Sequence, residues 1–214
     1  MGYLRNLLAS LDFASIGALL LRVTAVLLCL TVHELSHGWM AWRLGDPTAK
    51  REHRLSLNPL HHIDWFGLLA MLTVGFGWAK PVPVDPRYFK KPKQGMAWTA
   101  LAGPLSNGVL TVLLLLLLRG TLLMENAVLL SYFLYQTALL SLGLGLFNLL
   151  PIPPLDGSKV LFALLPERYY VRLLRWENVG MLLLIALTVF DVGGNRLGSA
   201  IWTLYSLLLD WIVF

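Results

Sequence analysis

Apolar runs and short polar breaks alternate along the whole chain, and the spacing within the runs predicts helices. Residues 16–32 are largely apolar, and the helical pattern runs on through 33–42 to about Leu44, where Gly45-Asp46-Pro47 stops it. Before that run, residues 1–13 carry Arg5 and scattered Leu and read as a short interfacial helix or a loose start. No small-residue cleavage site follows, so a cleaved signal peptide is not expected. Residues 96–118 form a full span, and residues 127–150 span back. Two final apolar segments, 179–192 and 197–214, are separated by Gly193-Gly194-Asn195-Arg196 and read as a hairpin. Residues 66–78 are apolar but too few to cross about 30 Å as a helix, which predicts a re-entrant segment. Residues 79–86 must be extended, because each of Pro81, Pro83 and Pro86 pushes the residue before it out of the helical region.

Composition names the solvent. Hydrophobic residues make up 57% of the 214 and charged residues 14%, with a mean hydropathy of +0.68. That balance belongs to a polytopic membrane protein rather than a soluble domain. No Ser/Gly/Pro-rich linker, charge-rich module or repeat interrupts the chain. A single domain over residues 1–214 is therefore expected: an all-α polytopic helical bundle in the lipid bilayer, with a re-entrant, extended β-like segment and a C-terminal helical hairpin at about 179–214.

The net charge of +5 does not point to nucleic acid, because the basic residues gather in short loops between apolar runs. The loops after the first helix, after the re-entrant segment and after residue 165 hold twelve of the seventeen Lys and Arg, among them Arg51, Lys90 and Arg172. The opposite side holds Arg5, Arg119 and Arg196. By the positive-inside rule the amino terminus is expected outside the cell membrane, with five spans leaving the carboxyl terminus inside. The polar motif at the end of the first span then opens toward the cytoplasm.

That motif is His33-Glu34-Leu35-Ser36-His37. Positions i and i+4 share one helix face, so both imidazoles can point at a single ion, which is half of a tetrahedral zinc site. Glu34 is not needed as a ligand and can take a proton from a water whose pKa the ion has lowered to about 7. The bland reading is a pair of histidines capping or snorkelling at a helix end. Against it, two imidazoles and a carboxylate at the end of an apolar helix cost several kcal/mol unless something pairs them.

A second stretch, Phe147-Asn148-Leu149-Leu150-Pro151-Ile152-Pro153-Pro154-Leu155-Asp156-Gly157, breaks a helix beside an apolar segment. Irregular backbone at membrane depth is tolerated only where it is buried in protein or lines a cavity. Asp156 alone reads as an N-cap for a short helix over residues 157–165. Beside His33 and His37 it reads as the third protein ligand, with water in the fourth position.

Other polar residues are less informative. Cys29 is the sole cysteine, so no internal disulfide is possible; one turn before His33, it is a small apolar wall or an inhibitory fourth ligand. Asn107 in mid-span reads as an interhelical hydrogen-bonding residue, with a place in the active site as the alternative. Arg22 either snorkels or faces a polar interior, and Asp210 is a buried-looking charge without a role. His53, His61 and His62 read as solvated loop residues outside the site.

Together the two stretches resemble the site-2 protease family of intramembrane zinc metalloproteases. Leu57-Asn58-Pro59, Gly77-Trp78-Ala79-Lys80-Pro81-Val82-Pro83-Val84 and Ala102-Gly103-Pro104-Leu105-Ser106-Asn107 are similar to its short bacterial-type branch, which lacks PDZ and CBS domains. The resemblance implies a three-span catalytic core on residues 16–44, 96–118 and 127–165. It implies one zinc ion held by His33, His37 and Asp156, Glu34 as general base, and Asn148 contacting the substrate backbone or the oxyanion. The implied substrates are single-span membrane proteins, as in regulated intramembrane proteolysis, with room for a regulatory membrane partner. Residues 81–84 would offer an edge on which an unwound substrate strand pairs. The alternative is a non-proteolytic zinc-binding membrane protein, a pseudoprotease or metal carrier. A pseudoprotease is expected to lack Glu34, and a carrier to show further His or Asp pairs along its spans; neither pattern is present.

Overall fold

The computed structural model of the protein describes residues 13–67, 79–124, 126–166, 179, 180, 182, 183, 186 and 194–214. Helix α1, Phe13–Arg43, has 31 residues and at 1.5 Å per residue is about 46 Å long, more than the hydrocarbon core requires. Its end follows from one backbone angle. Gly45 adopts φ of +111°, a conformation open to glycine and strained for other residues, and the chain leaves the helix axis there. Asp46 is fully buried and accepts the Thr48 N–H at 2.9 Å, which opens the single turn α2, Thr48–Arg51.

Helix α3, Pro92–Thr121, starts before the expected residue 96 because Pro92 sits in its first turn, where a missing N–H leaves no helical bond unmade. It runs unbroken through Pro104. Helix α4, Val128–Asn148, ends where Pro151 approaches. Helix α5, Asp156–Ala163, follows the proline-rich turn, and α6, Gly194–Ile212, begins inside the glycine-rich stretch read from sequence as a loop.

α3 is the central helix, packed against α1 on one side and α4 on the other. Between α3 and α4, the Ser141 hydroxyl donates to the Asn107 carbonyl at 2.9 Å, and the Thr111 hydroxyl contacts the Ala138 carbonyl at 3.3 Å. Such short polar links replace the hydrophobic drive that helices lack in lipid. The buried apolar core joins α3, α4 and α6 through Leu114, Leu115, Leu118, Leu134, Leu142 and Tyr205. Leu20, Leu113, Leu117 and Leu129 point outward and are exposed. Three helices are long and apolar enough to cross a membrane; with that apolar exterior, the protein is an all-α, multi-pass membrane protein.

Among the described residues there is no strand. Residues 79–85 have no regular secondary structure; Asp85 is extended and Pro86, expected to be extended too, begins a helical turn. Asp85 accepts the Arg87 N–H and caps a 3-10 turn, Pro86–Tyr88, with Pro86 again at a helix start. Two basic loops meet among the described residues, where the Arg51 guanidinium donates to the Tyr88 hydroxyl at 3.3 Å. Arg43 stacks on Trp39 at 5.4 Å and Lys50 on Trp42 at 4.5 Å, while Lys93 donates to the Leu165 carbonyl. The re-entrant reading of residues 66–78, the first arm of the hairpin and the amino-terminal stretch fall largely outside the described residues.

Candidate metal centre

Helical spacing places His33 and His37 on one face of α1, with ring centroids 4.6 Å apart in an edge-on arrangement. The chain returns to them 123 residues later. Asp156 Oδ2 lies 3.1 Å from His33 Nε2 and 3.1 Å from His37 Nε2. The three groups are buried, and their ligand atoms lie within 4.8 Å of one another. Asp156 is the first residue of α5; Leu155 holds the N-cap position and makes no side-chain cap. The carboxylate faces the imidazoles, and the N-cap alternative is not what the structure shows.

The donor set suits a cation. His37 Nδ1 lies 2.7 Å from the Thr99 carbonyl, which can only accept, so Nδ1 carries a proton and Nε2 is the nitrogen left to face Asp156. Two acceptors 3.1 Å apart repel unless a proton or metal ion sits between them. A tetrahedral zinc site with bonds of about 2.0–2.1 Å needs ligand atoms about 3.3 Å apart. The observed 3.1 Å separations from both imidazoles to Oδ2 are close to that edge.

Glu34 is turned away from this cluster by one residue's rotation, about 100° around the helix. Its Oε2 accepts the N–H of Val82 at 2.9 Å. Of the N–H groups in residues 81–84, Pro81 and Pro83 have none and that of Val82 is taken by Glu34, so the edge expected there would pair a substrate strand through the Val84 N–H and the carbonyls. Asn148 is the last residue of α4, and its Nδ2 donates to the Leu144 carbonyl at 3.0 Å; among the described residues nothing ties it to the three ligand groups.

Cys29 is outside the cluster, fully buried with its thiol 3.8 Å from the Thr137 carbonyl, as an apolar wall against α4. Asn107 does not make the side-chain bond expected between helices: both amide atoms are buried and without a protein partner among the described residues. His61 bonds the His53 carbonyl at 3.2 Å. His62 is not solvated as a loop histidine would be; it is buried and bonds the Ser56 carbonyl at 2.8 Å. None of these joins the ligand groups. Arg22 is exposed and edges a largely apolar cavity of about 610 Å³ between α1, α4 and α6, which Thr31, His62 and Trp202 also line.

Known proteins are similar to this chain in sequence. YwhC of Bacillus subtilis is 40% identical over 177 residues, which covers 80% of this chain and 81% of that protein. This chain belongs to peptidase family M50. The family's model matches residues 123–190, from α4 through the Asp156 turn. Rip2 of Mycolicibacterium smegmatis is 35% identical over 152 residues, covering 66% of this chain and 56% of that protein. YwhC and Rip2 both carry the words zinc metalloprotease in their names. The zinc metalloprotease MJ0392 of Methanocaldococcus jannaschii is 29% identical over 182 residues, 84% of this chain and 44% of its own length. No solved structure matches. The M50 protein is thus a zinc metalloprotease. Membership in a peptidase family favours the proteolytic reading over the non-proteolytic one.

The fold gives Gly103 and Lys159 contacts at the site that the sequence reading did not assign to them. Gly103 lies against both imidazoles: a Cβ there would come within 2.5 Å of His37 Cε1 and Nε2 and 2.7 Å of His33 Cε1. Lys159 Nζ is 3.9 Å from Asp156 Oδ1, one turn along α5. Spacing alone could have found Lys159, since i and i+3 are neighbours on a helix. Farther out, the Arg87 guanidinium beside Asp85 holds its carboxyl below the usual carboxylate range, so the turn that Asp85 caps keeps its charge pair.

Proposed function

We propose that this M50 zinc metalloprotease hydrolyses a peptide bond within or beside the transmembrane segment of a single-span membrane protein, at the cytoplasmic side of the cell membrane, as a step in regulated intramembrane proteolysis. The observation that carries the reading is the buried convergence of Asp156 with His33 and His37, the two histidines standing on a helix long enough to span the bilayer. The site is about five residues, or about 8 Å, from the exposed Trp42 that Lys50 covers. Tryptophan and lysine mark the headgroup level, so the ligand groups lie just inside the apolar layer.

His33, His37 and Asp156 would hold the zinc ion, whose chemistry when bound would be to lower the pKa of a water toward neutral and to polarise a carbonyl. Glu34 accepts the proton of the attacking water and returns it to the leaving amine, so one water is consumed and one carboxylate and one amine are released. Asn148 contacts the substrate backbone or the oxyanion once its Nδ2 has left the Leu144 carbonyl. A helical substrate hides its carbonyls and must first unwind. The apolar cavity along α1 suits the remainder of such a segment.

The test compares wild type with Glu34→Gln in liposomes, measuring bound zinc and cleavage of a panel of single-span proteins, each with one apolar segment of about 20 residues. Zinc in both and cleavage by wild type alone is the expected result. Equal cleavage by both removes Glu34 from the mechanism. Zinc in both with no cleavage of any panel member overturns the transmembrane substrate.

A further inference from the structure

Glu34 must meet a water held beside the ligand groups, yet it has three rotatable side-chain bonds and faces about 100° away from His33. Something has to fix it. The structure offers one contact: Val82 N–H donates to Glu34 Oε2 at 2.9 Å. Oε1 accepts no hydrogen bond among the described residues, so one oxygen is tethered and the other is available for a proton.

The local sequence isolates that donor. In Pro81-Val82-Pro83, Val82 carries the only backbone N–H, and the flanking prolines fix φ on either side of it. The segment is anchored at both ends. The Lys80 N–H donates to the His62 carbonyl at 2.9 Å, and Arg54 Nη2 donates to the Lys80 carbonyl at 2.8 Å. On the other side the Asp85 N–H donates to buried Asp46 at 2.7 Å. Gly38, one turn beyond Glu34 on the same face, makes room for the strand: a Cβ there would come within 3.0 Å of Val82 Cγ1 and 2.7 Å of Leu55 Cδ2.

We propose that the Pro81–Val82–Pro83 segment is a catalytic strut, with Val82 as a positioning residue whose single N–H aims the Glu34 carboxylate. It acts through Glu34 and touches neither metal nor substrate, and it rests on the assignment of Glu34 as general base. A hydrogen bond to a charged acceptor is among the stronger ones, and misaiming a catalytic group by an ångström is enough to slow chemistry about a hundredfold.

The test replaces the Val82 amide with an ester by incorporating α-hydroxyisovalerate at position 82, keeping the side chain and deleting one N–H. Reinsertion of valine by the same route is the control. Gly38→Ala, which presses on the strand without altering Glu34 or the N–H, serves the same purpose should the ester protein not fold. Bound zinc, kcat and KM are measured on a peptide carrying one apolar segment that wild type cleaves. The expected result is kcat lowered about 10- to 100-fold with zinc content and KM within twofold of wild type, as for other positioning partners of a metal site. Wild-type kcat overturns the strut, and so does a fall that comes with lost zinc or a raised KM, because the segment would then act on the ligands or the substrate. Glu34→Gln separates the two ideas. If it cleaves like wild type, the base assignment fails; if it is inactive while the ester protein is normal, only the strut fails.

Discussion

Gly103 of α3 lies directly against His37 of α1, with no room between them for a methyl group: an added Cβ would sit 2.5 Å from two atoms of the imidazole. Helix packing thereby sets how the ligand rings stand. His37 is pinned from the other side by the Thr99 carbonyl at 2.7 Å, so the ring cannot rotate away from an intruding group without losing that bond. Gly103→Ala is expected to weaken zinc binding about 10- to 100-fold, the usual effect of disturbing what orients a ligand. Metal content after dialysis against a graded chelator checks it.

The Asp156 side of the site has its own glycine. A Cβ on Gly157 would come within 2.1 Å of the Leu149 carbonyl oxygen and 2.6 Å of that of Leu150. These are backbone atoms, which cannot swing aside as the tip of a side chain does. Gly157→Ala should therefore force the proline-rich turn off α5, destabilising the fold by about 1–3 kcal/mol or more and moving Asp156 away from the histidines. Thermal unfolding in detergent should shift down, and bound zinc should fall with it.

Much of this arrangement is legible in the sequence, for reasons of range. His33 and His37 are readable together because i, i+4 is a property of any helix. The proline-rich stretch announces irregular backbone, and Asp156 is its one charged residue. Which role Asp156 takes could not be read locally, since an N-cap and a first-turn ligand differ by one residue of helix register; in the fold Leu155 takes the cap position. The particular contacts of Gly103 and Val82 were beyond reach, because each is made to a side chain on another element. Asp210 illustrates the reverse error. It stands in an apolar run and reads as buried, but α6 turns Tyr205 and Ile212 into the core, and at 100° per residue position 210 falls on the far side, where it is exposed.

Lys159 gives a graded test of the ligand set. Its ammonium is 3.9 Å from Asp156 Oδ1 and its side chain is 29% exposed, so water screens the pair and its contribution is about 0.2–1 kcal/mol. Lys159→Met should change zinc affinity by no more than about fivefold, upward if repulsion between the ammonium and the ion dominates. Asp156→Asn removes the charge that draws the two imidazoles onto one oxygen and should leave no zinc bound after gel filtration. A competition titration with a fluorescent chelator separates the two variants.

Asn148 should act in turnover rather than in metal binding. Its Nδ2 is held by the Leu144 carbonyl at 3.0 Å, one turn back on its own helix, so in the resting protein it stabilises only the end of α4. In the proposed mechanism its amide is the donor to a carbonyl oxygen that gains charge, and removal of one such donor typically slows chemistry about 10²–10³-fold. Asn148→Ala is expected to lower kcat by about that factor with zinc content unchanged and unfolding little affected, since a single bond at a helix end is worth about 1 kcal/mol. Steady-state kinetics on a reconstituted single-span substrate, with metal analysis on the same sample, checks the assignment; wild-type kcat would leave Asn148 as a helix-end residue alone.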